Sequence, residues 1–514
     1  MHLRILIILS ALFALLWGTS CRKDFEYAES NGHLSFSRDT VYLDTVFSNI
    51  GSSTYTLKVY NDTKDDIIIP NISLRNGSES FYRLNVDGVA GKEFVNTPIY
   101  AEDSLFVFVE TTIDITDNSL NELLYTDAIL FDSEPFQQTV ELVTLVKDAI
   151  FLFPDVANEN NVETIVLYND ETGNPIEIEG FELPDSHLNF NREKSYVIYG
   201  YAIVPKGKEL VIDPGTRVHF HENSGILVQE ESTITINGEL SSDDILFENE
   251  VIFEGDRLEP EFDDISGQWG TIWISAGSAS NTINHLTIKN AELGLYVEGQ
   301  INEPEKTLTI TNSRIVNSSR YNLWARSANI DASNLVLGSS GNSSLLIENG
   351  GSYSFTHATI ANYWNKGFRF NPSVTISNTS NTNSENDFDL LQANFNNCIV
   401  DGSSSNEISI QANNQNIFNY KFQNCFIKFN ENQSTTNGDE VYDFENEEHY
   451  LNVILSGELD YFQPFKNDYR IGLDSEIINK GDLNIANSTP FDIVGTARIP
   501  KPDLGVFQAK EKDL

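Results

Sequence analysis

Short runs of alternating apolar and polar residues recur along residues 282–430, and Gly, Asp, Asn or Ser separates each run from the next. Each run closes on an apolar residue, and the successive closing residues are 28, 21, 23, 40 and 27 positions apart. A recurrence of about 20–50 residues is typical of solenoids, in which every turn buries its apolar edge against its neighbours. The sequence therefore predicts stacked β coils that close at Ile288, Val316, Leu337, Ile360, Val400 and Ile427.

Two of the three cysteines stand in nearly the same phrase, "NFNNCIVDG" around Cys398 and "KFQNCFIKF" around Cys425. In the predicted register they occupy the same place on adjacent coils, about 4.8 Å apart. We expect buried, stacked thiols, because parallel Cβ vectors strain a disulfide; a disulfide is the alternative. The residues one position earlier are expected to form a polar ladder along the stack: His285, Ser313, Asn334, His357, Asn397 and Asn424.

The charge balance of the chain is strongly acidic. Among its 514 residues, 32 Lys and Arg face 76 Asp and Glu, which gives a net charge of -44. Such a surface repels nucleic acid, so no nucleic-acid partner is expected. It would attract divalent cations, although acidity is also a common means of keeping a protein soluble.

The N-terminal residues predict export and a membrane anchor. An apolar run follows Arg4, and its length of 13 residues, 5–17, falls short of the roughly 20 that span a bilayer. With Gly18, Thr19 and Ser20 before Cys21, this segment resembles a bacterial lipoprotein signal. The resemblance implies a signal peptide at 1–20, a lipid on Cys21, a tether at 21–30 and anchoring in the bacterial outer membrane, with exposure at the cell surface. An ordinary cleaved signal is the alternative.

Residues 31–148 are predicted to form a β-sandwich. Phrases such as "TYTLKVYN", "SLFVFVETTID" and "QTVELVTLV" alternate with period two, and turn clusters such as "NDTKDD" separate them. The segment also resembles the immunoglobulin-like (Ig-like) domains that precede larger repeats in bacterial surface lipoproteins. That resemblance implies a stalk or adhesive spacer without catalytic residues.

Residues 155–440 resemble the right-handed parallel β-helix proteins of the pectin-lyase-like superfamily, on "LVIDPGTRVHF", "GQWGTIWI" and the repeats above. The fold class expected for the whole chain is therefore all-β, with an Ig-like sandwich before a right-handed parallel β-helix. Trp269 and Trp273 belong to the matching motif and are expected in the core. Residues 441–514, with "SEIINKGD" and "DIVGTARIPKPDLGVFQ", resemble the C-terminal segment of many such proteins and are expected to cap the last coil.

Carboxylates are densest in "EGDRLEPEFDDISGQWG", which contains Glu259, Glu261, Asp263 and Asp264. Oxygen ligands at this density make Ca²⁺ a possible cofactor, and a solvated acidic loop is the alternative. The polar insertion with Glu385, Asp387 and Asp389 has the same two interpretations. His219 and His221 share a strand face in "VHFHEN", which could begin a metal site, but a surface pair is favoured because no third ligand is suitably spaced.

Three aromatic residues lie just after coil-closing positions, where the chain turns outward: Trp324, Tyr363 and Trp364. Exposed rings at such positions could stack on sugars, and packing beneath loops is the alternative. We therefore predict a monomeric, non-catalytic protein that binds a glycan.

Enzymes on this fold mostly cleave acidic or pectic polysaccharides, so a polysaccharide lyase or glycoside hydrolase is the competing function. The outward positions of residues 282–430 are mainly Thr, Ser, Asn and Lys, which disfavours the paired carboxylates of a hydrolase. Carboxylates or basic residues converging beside Trp324 or Trp364 would favour the enzyme. A purely structural surface spacer is the third possibility.

Overall fold

A computed structural model of the chain describes residues 27–115, 122–158, 161–169, 173–243, 246–300, 305–379, 388–413, 415–430 and 440–512. Cys21, Glu385 and Asp387 lie outside the described residues. The chain divides into two compact units, residues 1–148 and 149–514. Within the described part, no helix has the length and apolar composition that crossing a membrane requires.

In the described part of the first unit, eleven strands form two sheets. The antiparallel sheet has the order β2-β4-β9-β6-β7, and the other has the order β1-β5-β10-β11-β3 with β8 paired to β5. The strands are β1 (Ala28–Glu29), β2 (Ser35–Phe36), β3 (Thr40–Phe47), β4 (Tyr55–Tyr60), β5 (Ile67–Leu74), β6 (Tyr82–Val86), β7 (Val89–Gly91), β8 (Glu93–Ile99), β9 (Ser104–Thr111), β10 (Glu122–Phe131) and β11 (Gln138–Lys147).

Alternation along the strands gives this unit a single main core. Leu57 and Val59 of β4 are fully buried, as are Val41 and Leu43 of β3 in the other sheet, and all four belong to one apolar cluster. Period-two side chains direct one face of each strand inward, which is why the two sheets enclose a shared interior. The Ig-like assignment of this two-sheet unit stays a prediction.

The regular structure of the second unit is almost entirely short strands. They are β12 (Ala149–Leu152), β13 (Val156–Asn158), β14 (Asn161–Val162), β15 (Thr164–Asn169), β16 (Pro175–Glu182), β17 (Asn189–Phe190), β18 (Ser195–Ile198), β19 (Tyr201–Val204), β20 (Glu209–Ile212), β21 (Arg217–Phe220), β22 (Gly225–Val228), β23 (Thr233–Asn237), β24 (Val251–Gly255), β25 (Ile272–Ile274), β26 (Asn281–Asn284), β27 (Leu286–Lys289), β28 (Leu293–Glu298), β29 (Leu308–Val316), β30 (Tyr321–Arg326), β31 (Asn329–Leu337), β32 (Leu345–Glu348), β33 (Gly351–Thr356), β34 (Thr359–Asn362), β35 (Val374–Ser377), β36 (Leu390–Asn396), β37 (Ile399–Gly402), β38 (Ile408–Gln411), β39 (Lys421–Gln423), β40 (Phe426–Ile427), β41 (Tyr450–Leu451), β42 (Tyr461–Gln463) and β43 (Asp468–Ile471). A short helix, α1, spans Leu483–Ala486.

Most of these strands pair in parallel with their counterparts one coil away, whereas β13–β14, β15–β16 and β42–β43 pair antiparallel. One series runs β20-β23-β26-β29 and a second runs β21-β24-β27-β29. Both series belong to an 18-stranded sheet, and a ten-stranded sheet supplies a third series, β19-β22-β25-β28-β30-β32-β35-β38. This long parallel arrangement is consistent with a β-helix; its right-handedness stays a prediction.

A left-handed residue marks the corner between the first two series. Asn312 and Asn334 have φ of 48° and 50° in the middle of β29 and β31, so each of these strands bends across both series. Asparagine tolerates this conformation better than most residues. His285, His357, Asn397 and Asn424 repeat it, with φ between 45° and 53°.

The predicted register was wrong by one residue on a single coil. Asn312, not Ser313, stands at the corner, and Ile315, not Val316, aligns with Ile288 and Leu337. Spacing alone could not locate this shift, because both Ile315 and Val316 are apolar. Ile315 is buried in the core, whereas Val316 faces outward.

Stacked side chains fill the interior of the coils. The rings of Phe355, Phe395 and Phe422 lie nearly parallel, with centroids 5.0 and 4.5 Å apart. Cys398 and Cys425 are free, fully buried and adjacent, and the backbone N–H of Cys398 donates to the Sγ of Cys425 at 3.4 Å. The expected stack of thiols is confirmed, and the two residues form no disulfide.

The C-terminal segment lies along the side of the coils. Residues 450–455 still pair with the last coils, but Leu459, Tyr469, Ile493 and Val506 pack with outward apolar residues of four successive strands, β31, β34, β37 and β40. These outward residues are Val336, Ala361, Ile399 and Phe426. A cap on the last coil was the expectation, and the contacts of residues 456–512 lie instead on the outer face of the sheet.

Candidate functional site

An aromatic row lies on the outer face of the ten-stranded sheet. Trp273, Tyr296 and Trp324 occupy aligned positions on β25, β28 and β30. Their ring centroids are 5.4 Å and 4.8 Å apart, and Tyr321 lies 5.6 Å from Trp324. Each ring is partly exposed, because residues on either side along its strand point into the core. We call Trp273, Tyr296, Trp324 and Tyr321 the aromatic row.

Polar side chains lie beside the aromatic row, two residues further along the strands. We call Glu298, Arg326 and Glu348 the polar edge. Glu298 accepts hydrogen bonds from the Trp273 indole at 2.9 Å and from the Tyr296 hydroxyl at 2.7 Å. Arg326 donates to the Tyr296 hydroxyl at 3.0 Å and to Glu298 at 3.3 Å, and its Nε lies 3.4 Å from Glu348. Carboxylates and a guanidinium therefore converge beside Trp324.

Burial and these neighbours set the protonation of the polar edge. Burial raises the pKa of Tyr296, and the adjacent Glu298 carboxylate raises it further, so the hydroxyl stays protonated and donates. Burial lowers the pKa of Arg326, but Tyr296, Glu298 and Glu348 outweigh that effect and the pKa is raised. The site thus presents fixed donors and acceptors next to flat apolar rings.

The position of Trp273 contradicts the expectation that both Trp269 and Trp273 lie in the core. Trp269 is 1% exposed and stacks on Phe220 in the core, as expected for the motif. Trp273, by contrast, points outward and joins the aromatic row, because the alternation in β25 buries Ile272 and Ile274 instead. Sequence reasoning missed Trp273 and Tyr296 as members of the row, because only the strand pairings of the structure align them with Trp324.

The other two predicted glycan contacts, Tyr363 and Trp364, are not members of the aromatic row. Tyr363 follows β34 in the 18-stranded sheet and lines a cavity of about 900 Å³. Trp364, partly exposed, begins the loop of residues 364–372, and Lys366 lies 6.0 Å from its ring centroid. The structure therefore places Tyr363 and Trp324 on different sheets, whereas the Trp364 ring lies beside Gly341, next to Asn342.

The same loop carries two rings that sequence reasoning missed. Phe368 and Phe370 are each 91% exposed, whereas Arg369 between them forms a buried ion pair with Glu407 at 2.6 Å. Asn371 reaches Asn342, which donates to the Tyr321 hydroxyl at 3.3 Å. The loop is thus held near one end of the aromatic row.

The acidic loop does not gather its carboxylates. Glu259 pairs with Arg257 at 2.8 Å, Asp263 with Lys289 at 2.7 Å and Asp264 with Lys366 at 2.9 Å, and Glu261 is exposed. Across the described residues, no three His, Cys, Asp or Glu side chains converge as metal ligands. Calcium binding by this loop stays a prediction without a preformed ligand set behind it.

His219 lies in β21 and His221 directly follows this strand, and each histidine faces a carboxylate. His221 Nδ1 lies 2.7 Å from Asp256, and His219 Nδ1 lies 3.5 Å from Glu254, which also pairs with Lys289. Tyr199 stacks on the His221 ring at 4.4 Å. These contacts account for both histidines as polar links between neighbouring coils.

No protein-family model and no curated protein matches the chain. Among solved structures, a family 123 glycoside hydrolase from Clostridium perfringens, studied for glycolipid glycan hydrolysis, is 11% identical, with a TM-score of 0.15, covering 23% of this chain and 26% of the hydrolase. The periplasmic chaperone SfaE is 14% identical, with a TM-score of 0.15, covering 22% of this chain and 57% of the chaperone. Similarity this low carries no inference. The fold and the site define a nearly all-β protein with a long parallel sheet and an aromatic outer face.

Proposed function

We propose that this chain is a non-catalytic glycan-binding protein of the bacterial cell envelope. The aromatic row carries the proposal: three aligned rings on successive coils, partly exposed, with hydrogen-bonding groups along one edge. A sugar ring has an apolar face that suits an aromatic ring and a rim of hydroxyls that needs donors and acceptors. Because the row crosses successive coils, an extended glycan would lie across the strands.

The charges of the site favour a glycan with few acidic groups. Arg326 already contacts Glu298 and lies close to Glu348, so its charge is balanced before a ligand arrives. The net charge of -44 adds a general repulsion toward anionic polymers. We therefore propose a neutral or weakly charged glycan rather than a pectic acid.

The membrane anchor belongs to the same proposal. A lipid on Cys21 would hold the chain at the bacterial outer membrane, with the Ig-like unit as a stalk and the right-handed β-helix presenting the aromatic row. Metabolic labelling with a radioactive fatty acid tests this part. Wild-type protein should be labelled and membrane-bound, and Cys21→Ala should be unlabelled; equal labelling of both would overturn the anchor.

A glycan array with the soluble chain from Arg22 onward, run with and without Ca²⁺, tests the binding function. Wild-type protein should bind a defined set of neutral glycans, and Trp324→Ala should weaken that binding by about tenfold, equivalent to roughly 1.4 kcal/mol. Tyr42→Ala is the matched control, because Tyr42 is 62% exposed on the other unit. Equal loss in both variants, or no binding by the wild type, would contradict the proposal.

A polysaccharide lyase or glycoside hydrolase is the second candidate, and one observation favours it. Glu298 and Glu348 lie on either side of Arg326 beside Trp324, which is the convergence that favours an enzyme. We prefer the non-catalytic function because Glu298 is already held by Trp273 and Tyr296, and Glu348 is only 4% exposed. Unsaturated or reducing ends released from bound glycans, and lost in Glu298→Gln, would establish the enzyme. A spacer without binding function would show neither binding nor products.

A further inference from the structure

The cavity that Tyr363 lines is on a different face of the coils from the aromatic row. It has a volume of about 900 Å³ and opens between the ends of β37 and β40 and the C-terminal segment. Its apolar wall consists of Phe426, Phe429, Leu455 and Leu459. Of these, Phe426, Phe429 and Leu459 are each at least nine-tenths buried, so the wall is formed by packed side chains.

A buried carboxyl group provides one polar end of this cavity. Asp401 is 4% exposed and accepts a hydrogen bond from the Tyr363 hydroxyl at 2.5 Å. Lys428 lies 3.7 Å from Asp401 and also donates to the Gly402 carbonyl. Burial raises the pKa of Asp401, while Tyr363 and Lys428 act in the opposite direction. The three groups form a fixed polar cluster with nearly balanced charge.

An unused hydroxyl provides the other polar end. Tyr461 lines the cavity at 9% exposure, and its hydroxyl has no hydrogen-bond partner among the described residues. Its ring lies 6.1 Å from that of Tyr363, and both side chains line the cavity together with Asp401. A buried hydroxyl without a partner costs about 1–3 kcal/mol, which a bound hydrogen-bonding ligand would recover.

We propose that this cavity binds a single uncharged sugar ring. Its apolar wall would contact the face of the ring, and Asp401, Lys428 and Tyr461 would exchange hydrogen bonds with its hydroxyls. Lys428 balances Asp401, and Glu458 adds a further carboxylate to the lining, so the cavity has a net negative charge that would repel an anionic sugar and accept a neutral one. The site shares no residue with the aromatic row, and it stands whether or not the row binds glycans.

Titration calorimetry on the soluble chain from Arg22 onward tests the cavity, with glucose, galactose, mannose and N-acetylglucosamine as probes and glucuronic acid as the anionic comparison. At least one neutral sugar should bind saturably and at least tenfold more tightly than glucuronic acid. Tyr461→Phe removes only the hydroxyl and should weaken this binding about tenfold, with the melting temperature maintained. Tyr42→Phe, a matched loss of an exposed hydroxyl on the other unit, should bind like the wild type.

Three outcomes would overturn the cavity: no neutral sugar binds, glucuronic acid binds as well or better, or Tyr461→Phe binds like the wild type. The glycan array reads the aromatic row separately. Binding of array glycans without binding of any free sugar would contradict the proposal for the cavity alone. Binding of a free sugar, together with array binding that Trp324→Ala does not weaken, would contradict the proposal for the aromatic row alone.

Discussion

The backbone N–H of Cys398 lies 3.4 Å from the Sγ of Cys425, which occupies the same position on the next coil. Both thiols are fully buried, and burial raises the pKa of Cys425 well above its usual value. A protonated, solvent-excluded thiol is a poor nucleophile. The two cysteines therefore serve as small core residues that keep adjacent coils in register.

Thiol titration of the soluble chain from Arg22 onward tests the burial of Cys398 and Cys425. We expect no reaction of the native protein with a thiol reagent, and two reactive thiols once the chain is unfolded in guanidinium chloride. Absorbance after adding a disulfide-exchange reagent gives the count. Reaction in the native state would contradict burial, and no reaction after unfolding would show that a disulfide links the two residues.

Acid should destabilise the second unit through His285. Its burial and the neighbouring Arg314 lower the pKa of His285 to about 4, whereas the unfolded chain has a histidine pKa near 6.5. The unfolded state therefore binds more protons between these values, so stability is full above pH 6.5 and falls as pH decreases toward 4. The effect is on the order of 2 kcal/mol.

Denaturant unfolding at pH 7.5 and pH 4.5 measures this loss. His285→Asn is the informative variant, since Asn312 occupies the equivalent left-handed corner on the next coil. The variant should lose less stability on acidification than the wild type, while other titrating groups affect both alike. Identical acid sensitivity would show that His285 is not the group responsible.

Arg498 should be essential for holding the C-terminal segment. It is 1% exposed and donates to the side chain of Asn334 at 2.7 Å and to the carbonyls of Gly505 and Val506. Arg498→Ala would leave the Asn334 side-chain oxygen without its donor, remove one of the donors to each of the two carbonyls and empty the space of a fully buried side chain, at a cost of about 3 kcal/mol. Lys501→Ala, at an exposed position nearby, should change the free energy of unfolding by less than about 0.5 kcal/mol. Similar unfolding curves for both variants would contradict this role.

The sequence indicated the stacked coils because repetition leaves a regular pattern, and Cys398 and Cys425 were aligned correctly. It could not show which residue of "TNSRIV" takes the corner, because Asn312 and Ser313 both suit turns. The position of Asn312 was fixed only by the pairing of β29 with β31.

The candidate site was predictable only in part. Trp324 was singled out, but Trp273 and Tyr296 join it through strand pairings separated by more than 20 residues, which a single sequence does not reveal. The C-terminal segment was recognised by pattern, yet its lateral packing depends on outward apolar residues such as Ile399 and Phe426. Those residues look like core positions until the direction of each strand is known.

Short-range thiol cross-linking tests the register of the coils, on which the aromatic row depends. Thr309 and Asp331 are aligned, partly exposed neighbours on β29 and β31, and Ser333 lies two residues further along β31. The aligned pair should lie about 5 Å apart and the offset pair roughly 8 Å apart. With a reagent that bridges only the shorter distance, Thr309→Cys/Asp331→Cys should cross-link and Thr309→Cys/Ser333→Cys should not, as read by intact mass. Efficient cross-linking of the offset pair, or none of the aligned pair, would contradict the stacked coils.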